Sequence, residues 1–169
     1  MDLQDALATA IEYEHRVRDH YAESAKKATD PVAQRVFAIL AREEQGHVEY
    51  LDARLQEWKT TGVVNVVELK TILPSLIQVQ EAAKKSPKSA PVVPVSKTEI
   101  DFLKEALELE RRTSAFYQEL VAKLEPANRA LFARFLEIEE GHVTIVQAEI
   151  DAIAGHGHWF DFMEFSLEK

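Results

Sequence analysis

One polar pattern occurs twice in this chain. Glu44-Gln45-Gly46-His47 and Glu139-Glu140-Gly141-His142 each follow, at a distance, one more glutamate: Glu14 in the first case and Glu110 in the second. A three-residue step on a helix puts two side chains on adjacent positions of one face, so each Glu-x-x-His can aim a carboxylate and an imidazole at one centre. Carboxylate and imidazole are ligands that iron and manganese both accept. A single Glu-x-x-His is common by chance in helical proteins. Two of them, each coupled to a further glutamate, point to a pair of metal ions.

Placement strengthens the reading. Glu14 fills the gap between Ala10 and Val17 in an apolar stripe of 3-4 spacing, and Glu44 with His47 fills the gap between Leu40 and Leu51. Glu110 lies between Leu107 and Tyr117, and Glu139 with His142 between Phe135 and Val146. These side chains are therefore expected in the core, where an unpaired carboxylate either costs several kcal/mol or becomes neutral. No Lys or Arg occupies the stripes at the same level, so the compensating charge must come from elsewhere. Glu14, Glu44, Glu110 and Glu139 carry −4 when ionised, which two divalent cations neutralise. The expected ligands are thus Glu14, Glu44, His47, Glu110, Glu139 and His142, holding two iron ions or, alternatively, manganese. Glu12, Glu43, Glu105 and Glu140 are expected on solvated faces. His15 and His20 fall off the core stripe and are expected in solvent as well, while His156 and His158 flank a glycine in a turn.

Four long helices are needed to carry this set. The first stripe is Leu3, Leu7, Ala10, Val17, Tyr21 and Ala25; Asp30-Pro31 then provides an N-cap followed by proline at the first helical position. The second stripe, Phe37, Leu40, Leu51, Leu55 and Trp58, runs to a stop at Gly62. Ser96-Lys97-Thr98-Glu99 has the form of a capping box, and Leu103, Leu107, Tyr117, Leu120 and Leu124 follow it. Pro126 opens the last helix, whose stripe of Phe132, Phe135, Val146, Ile150 and Ile153 ends near Gly155. The helices are placed at about 2–28, 31–60, 97–124 and 126–154. Between them 61–96 reads as a connection, with a short helix within Ile72 to Lys84 and then Pro87, Pro91 and Pro94 along an extended path. Short turns make each helix pair an antiparallel hairpin, with Glu14 level with Glu44 and Glu110 level with Glu139. The fold class is all-α, a four-helix bundle over 1–154 of two antiparallel hairpins joined by a long crossover. The tail over 155–169, with Trp159, Phe160, Phe162 and Phe165, is too apolar to stay in water and is expected to dock on the bundle or on a second subunit.

Composition agrees and excludes alternatives. The 169 residues are 46% hydrophobic, with five glycines and six prolines, which suits one helical domain. A net charge of −9 disfavours nucleic acid and anionic membranes, which bind clustered Lys and Arg. No stretch reaches the roughly 20 apolar residues of a membrane span, and Met1-Asp2-Leu3-Gln4-Asp5 lacks the start of a signal peptide, so a cytoplasmic protein is expected. The absence of cysteine excludes thiolate zinc sites, FeS4 centres and iron–sulfur clusters.

Glu14 with Tyr21, then Glu44-Gln45-Gly46-His47, and Glu110 with Tyr117, then Glu139-Glu140-Gly141-His142, resemble the two half-sites of the rubrerythrin-related branch of the ferritin-like di-iron superfamily. The resemblance covers the four helices and stops before the tail. It implies that Glu44 and Glu139 bridge the metals, that Glu14 and Glu110 are terminal carboxylates, and that His47 and His142 bind one ion each. It also implies an oxidoreductase that oxidises Fe(II) or reduces O2 or H2O2. Tyr21 and Tyr117 either hydrogen-bond to these carboxylates or simply satisfy their own hydroxyls in the core. Peroxide-reducing members carry a further carboxylate where this chain has Thr113, and a cysteine-bearing rubredoxin-like domain, so a peroxidase of this kind would take electrons from an external donor. Met1 and Met163 are the only methionines, and no haem is expected. Gly46 and Gly141 cost about 1 kcal/mol each inside a helix, which close helix approach would justify. Two other functions fit the same residues: iron binding and delivery without turnover, or a metal-containing scaffold that assembles through its aromatic tail into a homodimer or larger oligomer.

Overall fold

The computed structural model describes residues 2–85 and 94–162. Pro87, Pro91 and Phe165 lie outside the described residues. The elements are α1 (Leu3–Lys27), α2 (Pro31–Thr61), α3 (Leu76–Lys85), α4 (Lys97–Lys123) and α5 (Pro126–His156). α1 packs on α2 and α4 on α5, α1 meets α4, and α3 lies on α5. The result is an all-α bundle. Among the described residues no helix is long and apolar enough to cross a membrane.

Local chemistry sets the helix ends. Asp30 accepts from the N–H groups of Val32 (2.7 Å) and Ala33 (3.3 Å), so α2 begins immediately at Pro31. Gly62, at φ 72°, closes α2 in the left-handed conformation that only glycine adopts without strain. α5 continues through Gly155 and is capped instead by Gly157 at φ 73°. Ser96 accepts from the N–H of Glu99 at 3.1 Å, but Glu99 does not complete a capping box. Its carboxylate reaches across to the turn between α1 and α2, where it accepts from the N–H groups of Thr29 (2.7 Å) and Asp30 (3.0 Å). A buried acceptor thereby ties the start of α4 to the turn that precedes α2.

The apolar core falls into two clusters on either side of a polar belt. One contains Val17, Tyr21, Phe37, Leu40, Leu103, Ile145 and Val146, and the other Leu7, Ala10, Leu51, Tyr117, Phe132 and Phe135. Each of the four long helices contributes to both and crosses the belt where its glutamate interrupts the stripe. Trp159, Phe160 and Phe162 are buried in the first cluster, with Trp159 set edge-on against Phe37 at 5.4 Å between ring centroids. The tail therefore docks on the bundle of its own chain as far as it is described. Glu149, wholly buried, accepts from the N–H of Phe160 at 2.9 Å and helps hold it there.

In its described first part the connection is a strap tied to the bundle, while most of the stretch expected to be extended lies outside the described residues. Tyr50 donates its hydroxyl to the carbonyl of Val67 (2.6 Å), Arg54 binds the carbonyl of Asn65 (3.0 Å), and Leu69 and Leu73 are buried. The short helix starts later than the sequence suggests because Pro74 and Ser75 intervene: Ser75 caps it, its hydroxyl accepting from Gln78 N at 3.3 Å.

Candidate metal centre

The polar belt brings Glu14 from α1, Glu44 and His47 from α2, Glu110 from α4, and Glu139 and His142 from α5 to one place, all at most 1% exposed. Donor atoms of Glu14, Glu44, His47 and Glu139 lie within 4.8 Å of one another, and so do those of Glu44, Glu110, Glu139 and His142. The two quartets share Glu44 and Glu139. His47 Nδ1 is 3.0 Å from Glu14 Oε2, 3.2 Å from Glu44 Oε2 and 3.4 Å from Glu139 Oε1. His142 Nδ1 is 2.8 Å from Glu44 Oε1, 3.6 Å from Glu110 Oε2 and 3.7 Å from Glu139 Oε2. Each shared carboxylate thus turns one oxygen toward each histidine. The imidazoles themselves are parallel, 1° between planes, with centroids 5.3 Å apart.

Most of these atoms lack the partners that burial demands. Both oxygens of Glu44, both of Glu139, Glu110 Oε2 and His142 Nδ1 are buried without a hydrogen bond. Buried polar groups in native proteins are overwhelmingly paired, and a cluster of orphaned ligand atoms facing one point is the arrangement a bound cation satisfies. The donor set, carboxylate oxygen with imidazole nitrogen, fits iron or manganese.

Protons respond to the same crowding. Burial, and next the charge of Glu44, push Glu14 up to about 8. Burial with the charges of Glu14 and Glu44 raises Glu139 well above the usual carboxylate range. Burial also raises Glu44, but the charges of His142 and His47 outweigh it and hold that carboxyl well below its ordinary value. Burial lowers both histidines, yet the surrounding carboxylates, Glu44 foremost, win and hold them well above theirs.

Tyr21 and Tyr117 both bond to these carboxylates, and they do so crosswise. Tyr21 of α1 donates to Glu110 Oε1 of α4 at 2.5 Å, while Tyr117 of α4 donates to Glu14 Oε1 of α1. Thr113 is buried, and its hydroxyl donates to the carbonyl of Leu109 in its own helix at 3.0 Å. It supplies nothing to the cluster that a carboxylate would.

Three sequence expectations need correction. Glu43 is not solvated: it is 3% exposed, because the strap residues Thr71 to Leu73 lie over that face of α2, and its Oε2 accepts from the N–H of Ile72 at 2.9 Å. Its Oε1 lies 3.5 Å from His47 Nε2 and 3.7 Å from His142 Nε2. The available signal was its position four residues before His47, which puts both on one face. His20 is not free in solvent either, since its Nε2 sits 2.9 Å from the carbonyl of Phe102. Gly46 and Gly141 do not permit a close helix contact, for a Cβ at either would meet nothing within 4 Å. Gly141 faces a cavity of about 470 Å³ between the strap and α5, with His142 in its wall. His156 and His158 gain no third metal-ligating neighbour among the described residues.

The fold and the site define an all-α bundle protein with buried glutamate and histidine clusters suited to a carboxylate-bridged two-metal centre, consistent with the broader ferritin-like di-iron superfamily. No family model matches the sequence, and no curated protein or solved structure does.

Proposed function

We propose that the chain is a dinuclear metal protein of rubrerythrin-like, ferritin-like type, which oxidises Fe(II) or reduces O2 or H2O2. In this reading the bundle over 1–154 is two antiparallel hairpins joined by a long crossover, and 155–169 is a docked tail. Glu44 and Glu139 would be shared between the two ions, Glu14 with His47 would complete one site, and Glu110 with His142 would complete the other. The observation that carries the reading is the pair of shared carboxylates, each with neither oxygen hydrogen-bonded and one directed to each histidine. Two iron ions, when bound, supply the electrons for the oxidant; manganese is the alternative metal. The chain's own residues do the rest. Four carboxylates neutralise the ions, Tyr21 and Tyr117 fix the rotation of Glu110 and Glu14, and the two apolar clusters keep bulk water from the belt. Sustained turnover as a peroxidase would draw on an external electron donor.

The test is anaerobic Fe(II) loading of metal-free protein, with metal analysis, followed by O2 or H2O2 and optical spectra. Two ions per chain are expected, one for each quartet. A Glu44→Ala, Glu139→Ala variant that keeps its full metal content refutes the site. Oxidant consumption that stops after one equivalent, even with reductant present, identifies an iron-binding or delivery protein instead of an enzyme.

A further inference from the structure

Glu43 is a fifth buried glutamate at the belt, and it belongs to neither quartet. The two histidines turn Nδ1 toward the four other glutamates and Nε2 the opposite way, and Glu43 Oε1 stands between the two Nε2 atoms, 3.5 Å from one and 3.7 Å from the other. All three atoms are buried, and none has a hydrogen-bond partner elsewhere or at ordinary hydrogen-bond length to one another. One oxygen shared between two N–H groups sits farther from each than an oxygen bound to one alone. The other oxygen of Glu43 is held from outside the bundle by the N–H of Ile72 at 2.9 Å, and the Thr71 side chain stands near enough to favour its ionised form. The repeat supplies no counterpart, because the corresponding residue of the second half is Ile138.

We infer that Glu43 is a positioning residue which accepts the Nε2–H of both His47 and His142, fixing both imidazoles with Nδ1 free for the metals, and that the strap at Thr71 and Ile72 sets its place. The inference rests on the two-metal reading above. An imidazole ligand needs its remote N–H bonded so that tautomer and ring orientation are fixed. Metal centres usually meet this need with a separate acceptor for each histidine. Here a single carboxylate serves two parallel rings, so one substitution disturbs both sites together.

The experiment loads the full chain and two variants, Glu43→Gln and Thr71→Val, with Co(II). Stoichiometry and affinity are measured by competition with a chelator, and the shifted, exchangeable imidazole N–H protons are followed by NMR. Wild type is expected to bind two ions per chain, one for each quartet, and to show two slowly exchanging N–H signals, one from each histidine. In Glu43→Gln both signals move and exchange faster, and affinity falls about 10- to 100-fold with stoichiometry unchanged. Thr71→Val alters an exposed strap residue, so it folds readily, and it shifts both signals in the same direction by less. A variant in which only one signal responds, an affinity within about twofold of wild type, or a third ion that Glu43→Gln removes, overturns the inference. If wild type itself binds no Co(II), the two-metal reading falls; if wild type binds both ions and the variants behave like it, only the role of Glu43 does.

Discussion

Loading this centre must expel protons. In the metal-free protein, burial and then Glu44 raise Glu14 to about 8, and burial with neighbouring negative charge raises Glu139 well above the carboxylate range. Against the pull of burial, the carboxylates hold His47 and His142 well above their ordinary value. At about pH 7 Glu14 carries its proton, and the upward shifts of Glu139, His47 and His142 favour their protonated forms too. Metal ions and these protons compete for the same side chains. Saturation with Mn(II), or with Fe(II) under anaerobic conditions, is therefore expected to release at least about one proton per chain. At about 1.4 kcal/mol per proton per pH unit, each proton displaced makes the affinity rise about tenfold per unit of increasing pH. The part due to Glu14 ends above about 8, where its carboxyl is already empty. The assay is metal titration in weak buffer with an indicator dye, repeated across pH. Release of fewer than about one proton per chain, or an affinity that does not change on going from mildly acid to neutral pH, refutes the reasoning.

Without metal the same groups set how the fold responds to pH. Folding raises Glu14 from 4.5 to about 8, so its contribution is complete below 4.5 and is lost as pH rises through about 8, a change of order 5 kcal/mol at about 1.4 kcal/mol per pH unit. Glu139, His47 and His142 shift upward and act in the same sense, whereas Glu44, shifted downward, loses its contribution only as pH falls below the ordinary carboxylate range. Thermal unfolding of chelator-treated protein should show Tm falling from mildly acid to mildly alkaline pH, with added metal removing the trend; a rising Tm contradicts it. Tyr117→Phe leaves Glu14 Oε1 buried without its donor, and it is expected to cost the metal-free protein about 1–3 kcal/mol and to weaken metal binding about 10- to 100-fold. Because the bonds cross, calorimetry should find the loss in the Glu14, His47 site, and Tyr21→Phe should move it to the Glu110, His142 site.

Local rules made much of this architecture readable. Asp30, Pro31, Gly62 and Ser96 act at helix ends as their chemistry dictates, and the interruptions in four apolar stripes marked the belt at the correct height. What stayed hidden depends on segments without a period. Glu43 looked solvated because α2 was read as having one buried face, whereas the strap covers a second one. Glu99 looked like half of a local capping box because its true partners, Thr29 and Asp30, are distant in the chain. Tyr21 and Tyr117 sat at legible positions, but that each serves the opposite half is a property of packing, since the repeat alone is equally compatible with bonds inside each half.

The crossed tyrosines also bear on why the repeat exists as one chain. Two separate copies of a half could meet about a two-fold axis and make the same pair of bonds, each lending its phenol to the other. Such a dimer is bound by symmetry to identical sequences on both sides, so a glutamate at the position of Glu43 would reappear opposite and crowd a second negative charge against the imidazoles. Joining the halves lifts that constraint: the second half carries Ile138 where the first carries Glu43, so the two imidazoles meet one such glutamate instead of two. Covalent linkage thus lets a symmetric cage carry a single, unrepeated charge.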